Sequence, residues 1–252
     1  MLNPERHHRK YSLMSTPVLS DRARTILLIG ASRGLGHAMA AEFLKKGWNV
    51  VGTVRGRGTR TLLHDLAEEH IGRVEIEILD INEADQLVSL HDRLCGRIFD
   101  MLFVNAGITN RNPTQTIGEV STDDFVRVMI TNSLSPMRVI ESLACNVSTT
   151  GLIGVMSSGQ GSISNNETGQ REVYRGSKAA LNMFMRSFAA RQARTSRAMV
   201  VMAPGWVRTA LGGADARLTI EESVPRLVNV LLAKQGKPGL EYLDYLGRTV
   251  PW

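Results

Sequence analysis

The sequence predicts a single α/β domain built on a doubly wound, mostly parallel sheet of about seven strands with helices on both faces. Short apolar runs rich in β-branched residues alternate with longer amphipathic segments from residue 25 to the end of the 252-residue chain. A hydrophobic content of 43% is sufficient for one large core, and no repeat or linker divides the chain. Strands that alternate with helices of this length indicate βαβ units, whose strands run parallel.

The elements follow one another in a regular order. The first strand is the buried run TILLIG, and the helix behind it ends where Gly47 interrupts the apolar period. The third strand, VEIEIL, alternates apolar and acidic residues, and Ser121 or Thr122 caps a long fourth helix. The predicted strands span residues 25–30, 49–54, 74–79, 101–104, 152–156, 199–203 and 241–244, and the predicted helices span 35–46, 60–70, 83–94, 123–143, 173–194 and 220–233.

Residues 1–23 are polar and aperiodic, which predicts a disordered leader in front of a domain at 24–252. The net charge is +6, but residues 1–24 contain five basic and two acidic residues and so carry half of this excess. No basic stripe with interleaved aromatic residues follows, so nucleic-acid binding is not predicted. Two cysteines without metal spacing and the lack of an apolar run of membrane length predict a cytoplasmic protein with no metal site.

The stretch GASRGLG places Gly30, Gly34 and Gly36 between the first strand and the first helix. Glycines there allow a tight turn and open the backbone, so that N–H groups at the helix N-terminus can contact a pyrophosphate. The spacing G-x-x-x-G-x-G differs from the common dinucleotide fingerprint, G-x-G-x-x-G. Two interpretations therefore remain, a dinucleotide site and ordinary turn chemistry.

The end of the second strand indicates which dinucleotide would bind. An NAD site has an acidic residue there to contact the ribose hydroxyls, whereas this chain has Thr53, Val54 and Arg55. Arg55 and Arg33 of the glycine loop can form a clamp for a 2′-phosphate, because planar guanidinium groups match phosphate geometry. We therefore predict NADP(H) in preference to NAD(H). The alternative is a pair of solvated surface arginines.

Tyr174 and Lys178 are spaced i, i+4 at the start of a predicted helix, about 6 Å apart along its axis. The ordinary pKa of tyrosine is about 10, and a nearby ammonium group favours the phenolate. Such a tyrosine can donate a proton to a carbonyl oxygen and accept one in the reverse reaction. The pair alone is a weak signal, since any amphipathic helix can contain it.

A set of motifs in fixed order resembles the short-chain dehydrogenase/reductase family over residues 25–252. The set comprises the three glycines, Asp80, the NAG tripeptide that begins at Asn105, Asn132, a serine pair after the fifth strand, YRGSK and Pro204-Gly205. Within the family, the chain is similar to the subgroup of Sniffer-type carbonyl reductases and bacterial C-factor proteins. The resemblance implies a one-domain Rossmann fold, hydride transfer between a nicotinamide and a carbonyl or alcohol, and a homodimer or homotetramer built on the two long helices.

The resemblance also implies roles for single residues. Tyr174 resembles the catalytic acid/base, Lys178 the residue that lowers its pKa and holds the nicotinamide ribose, and Asn132 the anchor of a water in the proton relay. Alternatively, Asn132 is a bend-forming amide in a helix that Pro136 interrupts. Asp80 could equally be a turn residue. The implied cofactor-binding residues are Gly30, Ser32, Arg33, Gly34, Leu35, Gly36, Arg55, Asp80, Ile81, Asn105, Ala106, Gly107, Tyr174, Lys178, Pro204, Gly205, Val207 and Thr209.

Four serines precede Tyr174 in its segment. Ser157 and Ser158 follow the fifth strand, and adjacent strand residues point to opposite sides, so one of the two can face the nicotinamide. The resemblance assigns that position to Ser158. Ser162, twelve residues before the tyrosine, is the alternative, and Ser164 begins a polar insertion at 164–172.

These observations predict an NADPH-dependent oxidoreductase that acts on a small ketone or aldehyde, or on an alcohol in the reverse direction. A cofactor-binding regulatory protein of the C-factor type, with little turnover, is the alternative. Residues 108–116, 159–172 and 206–218 are predicted to form the walls of the substrate pocket. The sequence does not identify the substrate.

Overall fold

A computed structural model describes residues 22–56 and 58–252, so most of the segment predicted to be a leader lies outside the described residues. Seven parallel strands form one sheet in the order β3-β2-β1-β4-β5-β6-β7. They are β1 (Thr25–Ile29), β2 (Asn49–Val54), β3 (Val74–Ile78), β4 (Phe99–Val104), β5 (Val147–Met156), β6 (Ala198–Ala203) and β7 (Gly239–Asp244). The helices are α1 (Gly34–Lys45), α2 (Leu62–Glu69), α3 (Ala84–Arg93), α4 (Thr122–Met129), α5 (Ser135–Leu143), α6 (Glu172–Arg191) and α7 (Ile220–Lys234).

The predicted Rossmann fold is confirmed. From the central strand β1 the chain runs outward to β3, then returns to β4 on the other side of β1 and continues to β7. The loops after β1 and β4 therefore diverge in opposite directions. This reversal opens a crevice at the carboxyl ends of the strands, where open α/β sheets bind ligands.

Alternate residues of each central strand face two separate layers of helices. Ile26 and Leu28 of β1 pack in a core with residues of α1, α2 and α7, whereas Leu27 and Ile29 pack in a core with residues of α3, α5 and α6. Because both faces are covered, the strand is a continuous apolar run. Among the described residues, no helix is both long and apolar enough to cross a membrane.

The edge strand β3 shows why its sequence alternates. Glu75 and Glu77 lie on the face opposite Val74, Ile76 and Ile78 and form ion pairs with Arg97 at 2.6 Å and Arg93 at 2.8 Å. An edge strand with charged side chains also resists pairing with another chain.

The predicted helix at 123–143 is divided in the structure. Ser121 caps α4, one of the two predicted caps, but a π-helical turn at Ile130–Leu134 separates α4 from α5. Pro136 explains the break, since proline has no N–H to donate to the carbonyl of Asn132 and its ring crowds that carbonyl. The π turn places Asn132 and Ser133 on the side of α6, where the Ser133 hydroxyl donates to the carbonyl of Ser177 at 2.7 Å.

Several element bounds also differ from the predictions. The fifth strand begins at Val147 instead of residue 152, and its register with β4 shifts between Phe99 and Met101. The polar residues Ser148 to Thr150 hide this start, because they lie in the irregular part of the strand. The last long helix before β6 ends at Arg191 instead of residue 194.

Candidate active site

A cleft of about 1180 Å³ extends along the carboxyl edge of the sheet. Its walls include residues from the loops after all seven strands. All of the predicted site residues line it except Gly36 and Asn132, which lie directly behind its wall. The fold therefore brings together residues that are distant in sequence, from the glycine loop to Thr209.

The conformation of the glycine loop requires glycine at Gly30 and Gly36. Gly30 has a φ of 85°, and its amide donates to the hydroxyl of Thr53 at 2.8 Å. A Cβ at Gly36 would lie 2.0 Å from the carbonyl oxygen of Gly30, which also accepts from Asn105 Nδ2 at 3.0 Å. The first turn of α1 has no side-chain cap at Arg33. Its N–H groups are therefore available to an anion in the cleft.

Arg33 and Arg55 reach the cleft from the loops after β1 and β2. Both are exposed, and neither forms an ion pair with a described residue. Thr53 at the end of β2 is buried, and its hydroxyl is used by Gly30. The described end of β2 thus presents cationic and no anionic side chains to the cleft.

The remaining predicted cofactor positions lie in fixed turns. Asp80 accepts from the amide of Asn82 at 3.0 Å, so it is a turn residue as well as part of the cleft wall. Gly205 has a φ of 83°, and a Cβ there would lie 2.5 Å from Leu218. Thr209 accepts from the amide of Gly212 at 3.1 Å.

Tyr174 and Lys178 lie one turn apart on α6, and both are buried. The ammonium of Lys178 donates to the carbonyl of Met156 at 2.9 Å and lies 5.8 Å from the centre of the Tyr174 ring. Burial lowers the pKa of Lys178 from 10.5 to about 8, because removal from water disfavours the charged form.

The expected lowering of the Tyr174 pKa by the lysine is wrong. Burial raises the pKa of Tyr174 above its usual value of 10, and the neighbouring Ser158 hydroxyl and the charge of Arg171 oppose this effect only in part. The buried lysine ammonium bonds a carbonyl instead of the phenol. Tyr174 is therefore a neutral phenol at neutral pH, which is the state of a proton donor.

The four serines of the segment have four different surroundings. Ser158 lines the cleft, its hydroxyl acts to lower the pKa of Tyr174, and its carbonyl accepts from the hydroxyl of Tyr242. Ser157 donates to Asn182 at 2.6 Å, and buried Ser162 accepts from the amide of Asn165 at 3.1 Å. The fourth, Ser164, is exposed and donates to the carbonyl of the C-terminal residue at 2.8 Å.

Asn132 lies in the π turn and is completely buried. Its side chain accepts from the amide of Ile108 at 2.8 Å and donates to the carbonyl of the same residue at 2.8 Å and to the hydroxyl of Ser177 at 2.9 Å. A Cβ at Gly107 would lie 3.3 Å from the Lys178 ammonium and 3.4 Å from the Asn132 amide oxygen. The asparagine thus fixes the loop after β4 and lies beside the lysine. π turns are frequent at functional sites.

One part of the wall was not predicted. The C-terminal segment contributes Asp244, Arg248 and Val250, and the rule that ligands bind at the carboxyl ends of strands applies to β7 as well. Arg171, immediately before α6, lines the cleft within the wall predicted at 159–172, although it was not singled out there. It lies at the end of the polar insertion, whose composition indicates only a loop.

Comparison with known proteins places these features in a family. The family model described as short chain dehydrogenase matches residues 24–217. A protein of Burkholderia multivorans, described as a short-chain dehydrogenase/reductase with bound NADP, is 70% identical with a TM-score of 0.91, over 92% of this chain and 100% of that one. A carbonyl reductase of Pseudomonas aeruginosa in complex with NADP is 31% identical with a TM-score of 0.84, over 92% of this chain and 100% of that one.

A sequence relative adds to these structures. C-signal of Myxococcus xanthus is 32% identical over 161 residues, which are 63% of this chain and 96% of that protein. The matched family model spans the glycine loop, the serine pair and the helix that carries Tyr174 and Lys178. This protein therefore belongs to the short-chain dehydrogenase family, as its motifs predicted.

Proposed function

We propose that this protein is an NADPH-dependent reductase of small ketones and aldehydes that also oxidises the corresponding alcohols. The observation that carries the proposal is a buried, neutral Tyr174 beside Ser158 on the wall of the cleft. A phenol and a hydroxyl side by side can donate two hydrogen bonds to one carbonyl oxygen.

The cleft suits a nicotinamide dinucleotide that carries a 2′-phosphate. The uncapped first turn of α1 suits the pyrophosphate, and Arg33 and Arg55 suit the additional phosphate. Lys178 is assigned to the nicotinamide ribose, and the loop of Pro204 to Thr209 to the nicotinamide. The NADP bound to the proteins of Burkholderia multivorans and Pseudomonas aeruginosa supports this assignment. When bound, the reduced dinucleotide supplies the hydride.

The side chains of the protein then act on the proton and on the carbonyl oxygen. Tyr174 donates its proton to that oxygen as negative charge develops there, and Ser158 holds the same oxygen by a hydrogen bond. The Lys178 ammonium, which donates to the carbonyl of Met156, stabilises the phenolate that Tyr174 becomes. Asn132 is assigned to a water that returns a proton to this pair.

The regulatory alternative is not favoured by the site. A binding protein has no need of a lysine whose pKa burial lowers to about 8 beside a buried tyrosine. Perturbed pKa values of this kind are typical of catalytic groups. The likeness to C-signal is the observation that supports the regulatory alternative.

The proposal includes a homo-oligomer and a cytoplasmic location. Apolar side chains are exposed on the adjacent helices α4 and α6, among them Phe125, Val126, Met183 and Phe184. A second copy of the chain would cover this surface. Cys95 and Cys145 are free and exposed, which suits a reducing compartment.

The experiment is a measurement of NADPH oxidation with a panel of small ketones and aldehydes. We expect turnover by the natural protein and a loss of about 10²–10⁴-fold in Tyr174→Phe, the range for loss of a general acid. Calorimetric titration should show that Tyr174→Phe still binds NADPH. If the natural protein binds NADPH and turns over no carbonyl, the regulatory alternative is correct.

The serines provide a matched pair of variants in the same assay. Ser158→Ala should lower turnover by about 10²–10³-fold, as deletion of a hydrogen-bond donor to a developing oxyanion does. Ser162→Ala removes an equally small hydroxyl that is buried off the cleft wall, and it should retain most of the activity. The reverse pattern would assign the role to Ser162.

A further inference from the structure

Arg171 has a backbone conformation that is unusual among the described residues. With a φ of 59° it is the one non-glycine residue there with a positive φ, and it is the residue from which α6 begins. Side chains other than glycine enter this left-handed region at an energetic cost, and such residues cluster at functional sites. The conformation places the Arg171 guanidinium on the cleft wall, 5.0 Å from the centre of the Tyr174 ring.

The guanidinium of Arg171 lies over the Tyr174 ring but has no hydrogen-bonding or ionic partner among the described residues. It forms no ion pair or hydrogen bond with them, and its Nε is buried without an acceptor. A buried donor without an acceptor costs free energy, so a ligand that supplies an acceptor gains affinity there. The position beside Tyr174 puts that ligand at the reacting end of the cleft.

The other cations on the cleft wall have assigned uses. Arg127 pairs with Asp124, Arg248 pairs with Asp244 at 2.6 Å, and the Lys178 ammonium bonds a carbonyl. Arg33 and Arg55 lie at the opposite end, on the loops after β1 and β2, and the proposed function assigns them to the cofactor. Arg171 remains as a cation beside the catalytic tyrosine without an anionic or hydrogen-bonding partner in the described part of the protein.

We propose that Arg171 selects substrates that carry a carboxylate, namely keto acids or aldehyde acids in which a short chain separates the carboxylate from the carbonyl. This inference rests on the proposed function, since it describes the substrate of the same site. Arg171 binds the carboxylate through its planar fork of N–H groups, while the carbonyl oxygen lies on Tyr174 and Ser158. The short distance from the guanidinium to the tyrosine ring limits the chain between the two groups to a few bonds.

The test compares each acid with its neutral methyl ester. The probes are levulinate with methyl levulinate, and succinic semialdehyde with its methyl ester, each with NADPH in steady-state kinetics. In the natural protein we expect a higher kcat/KM for the acid than for the ester in at least one pair. Arg171→Gln should lower that acid-to-ester ratio by about 10- to 100-fold, the range for a lost charge-assisted hydrogen bond, mainly through KM.

Two further variants separate recognition from folding. Arg171→Gly removes the side chain but suits the left-handed backbone, so it should stay folded and lose the preference for the acid as well. Arg171→Lys keeps the charge without the fork and should retain part of the ratio. Arg194→Gln removes the same charge from an exposed position off the cleft wall and should leave the ratio unchanged.

The ratio distinguishes this inference from a general effect of Arg171 on Tyr174. An effect on the tyrosine acts on acid and ester alike and cancels in the ratio. Equal losses for both members of a pair, or esters that the natural protein reduces as well as the acids, would overturn the inference. Turnover of neutral carbonyls without turnover of either acid would overturn it too. Absence of turnover with every carbonyl would instead contradict the proposed function.

Discussion

Single residues decide which dinucleotide the cleft would select. Arg33 and Arg55 have no ionic partners among the described residues, whereas Arg60 nearby pairs with Asp65 and Glu68 at 2.7 Å. We expect Arg55→Ala to weaken NADPH about 10- to 100-fold more than NADH, since only NADPH carries the phosphate that a guanidinium binds. Calorimetric titration with both dinucleotides measures this difference, with Arg60→Ala as the control. Equal losses for the two cofactors would show that Arg55 does not read the 2′-phosphate.

Lys178 is expected to make the stability of the protein depend on pH. Its pKa is about 8 in the folded protein and 10.5 when unfolded, so between these values the unfolded chain binds more protons. Stability therefore rises as pH increases through this window, and below pH 8 the full cost of burying the charge, about 3 kcal/mol, is present. Lys178→Met lacks this group and should lack this rise.

Chemical denaturation of the natural protein and of Lys178→Met at pH 7 and pH 9.5 measures the effect. The natural protein should gain about 2 kcal/mol relative to the variant between the two pH values. Tyr174 is present in both proteins, so its own titration cancels in the comparison. A constant difference would mean that water reaches the ammonium of the folded protein.

At the residue scale, the sequence predicts which types of residue meet and not how deeply they are buried. The order of motifs was sufficient to select Tyr174, Lys178 and Ser158, which the structure brings together. The direction of the Tyr174 pKa shift was wrong because it depends on burial, which the order of motifs does not indicate. Arg171 lies in the wall predicted at 159–172 but was not singled out there, since a left-handed φ at an arginine leaves no signal in composition.

At the element scale, hydrophobic periodicity predicted every strand and every α-helix of the described residues, with α4 and α5 predicted as one helix. It works here because a parallel sheet is covered on both faces, which makes strands such as β1 and β6 continuous apolar runs. It fails where an element is irregular. The π turn at Ile130–Leu134 buries the polar residues Thr131, Asn132 and Ser133, and the residues that follow Val147 at the start of β5 are polar.

The π turn also shows how an irregular element supports the site. Because the helix opens there, Asn132 reaches the backbone of Ile108 with both ends of its amide. That contact holds the loop after β4 against Lys178, through Gly107. The two interpretations of Asn132, a bend-forming residue and a site residue, therefore describe one arrangement.

On the scale of the whole molecule, the site lies along the carboxyl edge of the sheet, and β7 and the residues after it form part of its wall. Tyr242 of β7 donates to the carbonyl of Ser158, and the carbonyl of Trp252 accepts from Ser164. Tyr242 and Trp252 thus fix the two ends of the segment from Ser158 to Ser164. No motif in the C-terminal sequence indicates this, because the contacts depend on β7 lying beside β6 at the edge of the sheet.

The exposed apolar surface of α4 and α6 leads to a prediction for the assembly. Met183 and Phe184 of α6 are 60% and 44% exposed, and Phe125 of the adjacent α4 is 39% exposed. Contiguous apolar surface of this kind marks an interface, so sedimentation velocity should detect a dimer or tetramer of the natural protein. The double variant Met183→Glu, Phe184→Glu should be a monomer, because two buried like charges from each copy would repel across the interface.

A control separates this surface from apolar exposure in general. Ile71→Glu changes a side chain that is 88% exposed after α2, away from α4 and α6, and it should leave the assembly intact. Circular dichroism of the double variant checks that the monomer is folded, as expected for substitutions at positions that are already exposed. An unchanged sedimentation coefficient in the double variant would mean that copies of the chain meet through another face. A natural protein that sediments as a monomer at all concentrations would contradict the proposed homo-oligomer.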